Sequence, residues 1–227
     1  MSDLNVMTPA EIAATKAAVM DQVPDLKTNP EIQGQSPLHH ADLESLAKVG
    51  PKQGGIHLRE HKLLGHLTLR CNPESVDQLA AAERVLGVAL PLQPLTSAEN
   101  GDYSIRWMSP DEWLILVPGL EAFDVESKFR DEMGGHYSLV NSSGGSTVLE
   151  LSGANVVELL KKCTPVDLHS KQFPVGKVVS TVFAKSTAII RRTGEQRFEL
   201  VIRRSFSDYV WLWLQDASRE FGLVIEA

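Results

Sequence analysis

Hydrophobic and polar positions after residue 65 repeat one order of elements twice. In the first copy "HLTLRC" alternates as a strand, and Asn72, Pro73 and Glu74 start a helix that runs to about Leu86. "YSIRW" and "WLILV" then read as strands, "EAFDVESKFRDEM" as a helix and "HYSLV" as a strand. The second copy keeps that order: "TVLEL" strand, "ANVVELLKKC" helix, "VVSTVFAKSTAIIRR" and "RFELVIRR" strands, "FSDYVWLWLQDASREF" helix, "LVIEA" strand. Each copy is a β-α-β-β-α-β unit, the split βαβ arrangement, with helices on one face of a mixed or antiparallel sheet. The expectation is an α+β fold of two tandem pseudo-symmetric units, residues 37–141 and 142–227, in one compact body.

Residues 1–36 read as an extension and linker. Thr8, Pro9 and Glu11 supply an N-cap, a first-turn proline and a capping-box acid, which predicts a helix over about 9–22. Its apolar stripe is thin, mainly Ile12, Val19 and Val23, and the prolines of "PDLKTNPEIQGQSP" cannot sustain a helix.

Within the second copy two helices define faces. Val156, Leu159, Leu160 and Cys163 share one side and point to a core. In the last helix Ser205 and Asp208 form a capping pair, and Phe206, Val210, Trp213, Ala217 and Phe221 form a stripe. Trp211 and Leu212 fall outside that stripe, so a second cover is expected on their side, and tryptophan is enriched in protein interfaces. The pairs Arg191-Arg192 and Arg203-Arg204 flank a hairpin, and alternation on a strand sends one member of each pair to either side of the sheet. The expectation is that one set is solvated while the other meets carboxylates.

Composition narrows the class. With 227 residues, 43% hydrophobic and 22% charged, the chain is that of a soluble globular protein. Its first residues carry acids and no unbroken apolar run, and no stretch reaches the ~18 apolar residues of a membrane span, which reads as a cytoplasmic protein without a membrane partner. The net charge of −7 is uneven, because residues from 161 onward hold 11 Lys+Arg and 7 Asp+Glu, or +4, leaving −11 for the rest. Basic groups so diluted make a poor nucleic-acid footprint, and an acidic protein surface or a carboxylate suits them better. Cys71 and Cys163 are far apart, against a disulfide framework or a zinc ribbon.

The candidate chemistry is sparse. "HLREH" at 57–61 spells an inverted zincin motif, but that chemistry needs a helix, and the alternation around it reads as a strand that leaves His57 and His61 at surface positions. Cys163, Asp167 and His169 lie within seven positions in "KKCTPVDLHSKQFPVG". Cys163 belongs to the helix core face, where a thiol is inert. Asp167 and His169 follow the helix in a stretch with Pro165, Pro174 and Gly176, where such side chains fix turns. No catalytic, cofactor-binding or metal-binding residue is assigned; the candidates for partner contact are Trp211, Leu212, Arg192, Arg204, Asp167 and His169.

Four stretches carry a resemblance: "SPLHH", "SPDEWLIL", "LSGANVVELLKKCTPVDLHSKQFPVGKVVSTVFAK" and "VIRRSFSDYVWLWLQDA". Over residues 36–227 the chain resembles the gamma subunit of heterotetrameric sarcosine oxidase. The combination of Cys163, Asp167, Leu168, His169, Phe173, Gly176 and Thr181 is the most specific part. That family is similar in turn to the folate-binding fold of the glycine-cleavage aminomethyltransferase, whose hairpin after the helix carries a catalytic aspartate. The matching stretch here, "TVFAKSTAIIRRTGEQ", has none. The resemblance implies a non-catalytic scaffolding subunit with alpha, beta and delta partners, in a complex that converts sarcosine to glycine with 5,10-methylenetetrahydrofolate and hydrogen peroxide as co-products. It implies FAD, FMN, NAD, tetrahydrofolate and zinc on the partners and no cofactor on this chain, which has no G-x-G-x-x-G. An equivalent subunit of a complex acting on N-methylglutamate or dimethylglycine, or a stand-alone folate-binding protein, are the alternatives.

Overall fold

The computed structural model describes residues 34–226, of which those from Gln35 onward form one compact unit. The helix expected over 9–22 and the linker up to residue 33 lie outside the described residues. Eleven strands and five α-helices follow one another among the described residues. They run α1 (Leu43–Val49), β1 (Ile56–His61), β2 (Gly65–Arg70), α2 (Val76–Leu86), β3 (Ser97–Asn100), β4 (Tyr103–Ser109), β5 (Glu112–Val117), α3 (Ala122–Glu132) and β6 (Ser138–Asn141). The second half runs β7 (Ser146–Ser152), α4 (Val156–Lys161), β8 (Val178–Phe183), β9 (Ser186–Gly194), β10 (Arg197–Arg203), α5 (Ser207–Ala217) and β11 (Leu223–Glu226).

The strands form two sheets, ordered β3-β4-β5-β2-β6 and β11-β1-β7-β10-β9-β8. Within the first, β6-β2-β5-β4 is the split βαβ order that the repeat predicts. The second keeps the same order, β11-β7-β10-β9, except that β1 is inserted between its outer and first strands. β1 pairs antiparallel with β7 and parallel with β11, so a strand from residues assigned to the first unit completes the sheet of the second. Alternation in "IHLREH" announces a strand, but nothing local names partners some 90 and 165 positions away.

Each sheet has helices on one face and the other sheet on its other face. Leu67, Leu69, Ile105, Trp113 and Ile115 pack under α2 and α3 through Ala81, Ala82, Val125 and Phe129. Ile56, Leu58, Leu149, Ile190 and Leu200 pack under α4 and α5 through Val156, Leu160, Val210 and Leu214. A smaller apolar contact of Leu114, Leu116, Val148 and Val201 joins the sheets.

Two helix starts differ from expectation. Ser75, not the Asn72–Glu74 stretch, caps α2 by accepting from the Gln78 amide at 3.3 Å, while Asn72 Oδ1 holds the preceding turn through the Glu74 amide. Gly87 ends α2 at φ +70, where a Cβ would also strike Asn100. In α5 no side chain caps the start, because Arg204–Phe206 form a 3-10 turn and Ser207 Oγ donates back to the Arg204 carbonyl. Phe206 is thereby taken off the helical wheel and exposed. The buried face of α5 is Ser207, Val210, Trp211 and Leu214, with Trp213 and Ala217 partly covered at its margin.

Candidate functional site

The turn after α4 is held by its own side chains. Asp167 Oδ1 accepts from the His169 amide at 2.9 Å, and His169 Nδ1 accepts from the Lys171 amide at 3.3 Å. The Gln172 and Phe173 amides both donate to the His169 carbonyl. Arg192 fastens the loop from below: Nη1 donates to the Phe173 carbonyl at 2.9 Å, Nε to Gly194 at 3.1 Å and Nη2 to Glu195. Its guanidinium lies 5.3 Å from the centre of the Phe198 ring. A groove of about 760 Å³ brings Asp167, His169 and Arg192 together beside Lys161. Asp167 and His169 are exposed there, whereas Arg192 is buried and saturated by carbonyls, which leaves little of it for a partner.

Cys163 closes the helix side of this turn. Its sulfur lies 3.2 Å from the Leu159 carbonyl, and burial pushes the thiol up to about 11 against the smaller opposing influence of Trp213 and Lys162. The thiolate that nucleophilic chemistry requires is therefore scarce near neutral pH.

The remaining candidates for partner contact separate. Trp211 is 6% exposed and packed in the core beneath the second sheet, so the expected second cover of α5 comes from its own chain. Leu212, one residue on, is 57% exposed, on a ridge with the exposed Asp208 and Asp216. Arg204 is exposed, and among the described residues its side chain reaches only the Gly144 carbonyl at 3.4 Å. Neither sits in the Asp167 groove.

A charged network that sequence reasoning missed lies between the sheets. Arg106 is fully buried and donates through Nη2 to Glu199. Glu199 also faces Arg191 Nη1 at 3.4 Å, and Arg191 bonds Ser97 and Ser104, each at 2.9 Å, and pairs with Glu99. Burial pulls the Arg106 guanidinium down to about 10, with Glu199 the strongest influence in the other direction. The next positions in the row are Glu150, opposite Glu199 on β7, and Arg59 on β1. His61 Nε2 lies 3.3 Å from Glu150, whose carboxyl is held below its usual range chiefly by that contact, with Arg197 contributing. His61, Glu150 and Glu199 bring one ligand atom each within 4.8 Å of one another. The two carboxylates are already partnered by arginines at Arg106, Arg191 and Arg197, so a cation would enter against their charge. Only the first arginine pair divides as alternation predicts: Arg191 meets carboxylates between the sheets and Arg192 lies buried on the helix side, whereas Arg203 and Arg204 are both exposed because Arg204 has left the strand for a 3-10 turn.

Glu60 is buried as well. It accepts from Ser36 Oγ at 2.8 Å, the Leu38 amide at 3.3 Å and Thr147 Oγ1 at 2.8 Å, which ties "SPLHH" to β1 and β7. "SPDEWLIL" is likewise a structural stretch, in which Asp111 accepts from Ser109 at 2.8 Å and from Arg70 at 2.7 Å across the β2–β5 pair. Among the described residues no helix is long and apolar enough to cross a membrane.

Residues 72–220 match the family model "Sarcosine oxidase, gamma subunit family". The chain is 34% identical over 191 residues to the sarcosine oxidase subunit gamma of Corynebacterium sp. (strain P-1), covering 83% of this chain and 91% of that one. It is similar at 30% identity and a TM-score of 0.73 to a chain in the structure of the heterotetrameric sarcosine oxidase from Corynebacterium sp. U-96, over 83% of this chain and 96% of that one. The glycine cleavage system aminomethyltransferase T of Bartonella henselae shares the fold at 13% identity and a TM-score of 0.61, over 85% of this chain and 58% of that one. The two split βαβ units, the side-chain-held turn of Asp167 and His169 and these matches agree, and the chain belongs to the sarcosine oxidase gamma subunit family.

Proposed function

We propose that this chain is the gamma subunit of a heterotetrameric sarcosine oxidase, that it serves assembly rather than chemistry, and that flavin, nicotinamide, tetrahydrofolate and zinc sit on its alpha, beta and delta partners in a cytoplasmic complex. The observation that carries the reading is the agreement over 96% of the corresponding chain in a heterotetrameric sarcosine oxidase. The occupied side chains support it: Cys163 is buried with a raised thiol, and Asp167 and His169 are bonded within their own turn. A fold can outlast the chemistry of its relatives, and the hairpin formed by β8 and β9 carries no aspartate.

The test is co-expression of a tagged copy with the neighbouring oxidase subunits, followed by purification through the tag. The expected outcome is co-purification of the partners with oxidase activity, while the chain expressed alone shows neither activity nor flavin absorbance. Stoichiometric flavin on the isolated chain, or failure of any oxidase subunit to co-purify, would overturn the proposal.

A further inference from the structure

The two sheets do not meet over their whole inner faces. Beside the apolar contact of Leu114, Val201 and Ile189 they part around a cavity of about 320 Å³, within the ~300–1,000 Å³ of small-molecule pockets. Its floor is apolar and its wall is rich in hydroxyls, among them Thr68 of β2, Ser146 of β7 and Thr187 of β9.

The cavity also holds an unmatched acceptor. His66 of β2 is 2% exposed, and its Nδ1 lies 3.0 Å from the Leu64 carbonyl oxygen. A carbonyl only accepts, so Nδ1 carries the proton and Nε2 is left as a bare lone pair. Burial holds the imidazole below its ordinary value, with the charge of Arg106 adding to that effect, so the ring stays neutral. Nε2 has no hydrogen-bond partner among the described residues. A buried acceptor left in that state is costly, and it demands a donor.

Two charged residues complete the lining. Arg203, at the end of β10, stands opposite Ser146 in the β10–β7 register, and its guanidinium makes no hydrogen bond or ion pair among the described residues. Glu112, at the start of β5, shares its charge with Arg70 Nε at 3.6 Å.

We propose that this intersheet cavity binds a small α-amino carboxylate, whose carboxylate meets Arg203 with the Ser146 and Thr187 hydroxyls and whose N–H donates to His66 Nε2. A bare carboxylate would satisfy Arg203 and leave Nε2 unpaired. A bare amine would do the reverse. Glu112 favours the cationic end of such a zwitterion, and the floor of Met108, Leu114, Ile189 and Val201 suits an apolar side chain.

The site uses none of the surface assigned to assembly, so it stands or falls separately from the subunit reading. The test is a titration of the full chain, labelled with ¹⁵N-histidine, with glycine, observing His66 Nε2 by NMR. A saturable upfield movement is expected, as an unprotonated ring nitrogen accepts a hydrogen bond. Arg203→Gln weakens the affinity at least ~10-fold, or ~1.4 kcal/mol. Arg203→Lys retains binding through its charge, which separates loss of the ligand contact from loss of the fold. Arg219→Gln, at an exposed arginine paired with Asp216 outside the cavity, leaves the titration unchanged. An unmoved His66 resonance, equal affinity in Arg203→Gln, or acetate binding as tightly as glycine would each overturn the proposal.

Discussion

Glu199 is the acceptor that two buried guanidiniums share, and Glu199→Gln keeps its shape while removing its charge. Arg106, with 0% side-chain exposure, then keeps only neutral acceptors, the substituted amide oxygen and Ser104 Oγ at 3.4 Å, while Arg191 keeps Ser97, Ser104 and Glu99. Burial already lowers the Arg106 guanidinium to about 10 even with Glu199 in place, so removal of that counter-charge strands a cation between the sheets. Removing one partner of a buried pair costs ~3–5 kcal/mol. For a chain of this length each kcal/mol lowers the melting temperature by ~2–4 °C, which gives a drop of ~6–20 °C. Glu99→Gln is the control: its side chain is 56% exposed, and loss of its ion pair with Arg191 costs at most ~1 kcal/mol. Thermal unfolding followed by circular dichroism reads both. Arg106→Met combined with Glu199→Met should recover most of the loss, because it removes both charges together. If Glu199→Gln melts within the shift of Glu99→Gln, the network contributes nothing by its charge and the reasoning fails.

Trp211→Ala empties a core position under the second sheet and should cost ~3–5 kcal/mol in the unfolding of the isolated chain; a near-unchanged urea midpoint would contradict that burial. Leu212→Ser, at the exposed neighbour, should leave stability within ~0.5 kcal/mol yet weaken recovery of the oxidase partners in a tag purification. Equal recovery would remove Leu212 from the contact surface. Burial pushes both the Cys71 and the Cys163 thiol up to about 11, so iodoacetamide near neutral pH should alkylate neither in the folded chain and both after unfolding in urea. Mass spectrometry of the digested protein checks this, and rapid modification of folded Cys163 would refute its inert placement.

Period and punctuation in the sequence determined the elements and their order. Alternation marks β2, apolar-rich runs mark β5, β7 and β10, a 3.6-residue spacing places Cys163 on the core side of α4, and Arg191 and Arg192 divide between the sheet faces as a period of two requires. The turn of Asp167 and His169 was legible too, since its side-chain hydrogen bonds reach only two residues along the chain. The start of α5 was not, because Ser205 and Asp208 offer a capping pair that the 3-10 turn bypasses, and that choice exposes Phe206 while Trp211 goes inward. Pairing was decided only in three dimensions: β1 joins β7 and β11 in the second sheet, a choice made by long-range backbone hydrogen bonds and by the anchoring of Glu60 to Ser36, Leu38 and Thr147. The Arg106–Glu199–Arg191 network and the His66 cavity belong to the same class. Their members come from different strands of two sheets, each looks like an ordinary outward-facing polar residue in its own strand, and only the packing of one sheet on the other turns those faces inward and removes them from water.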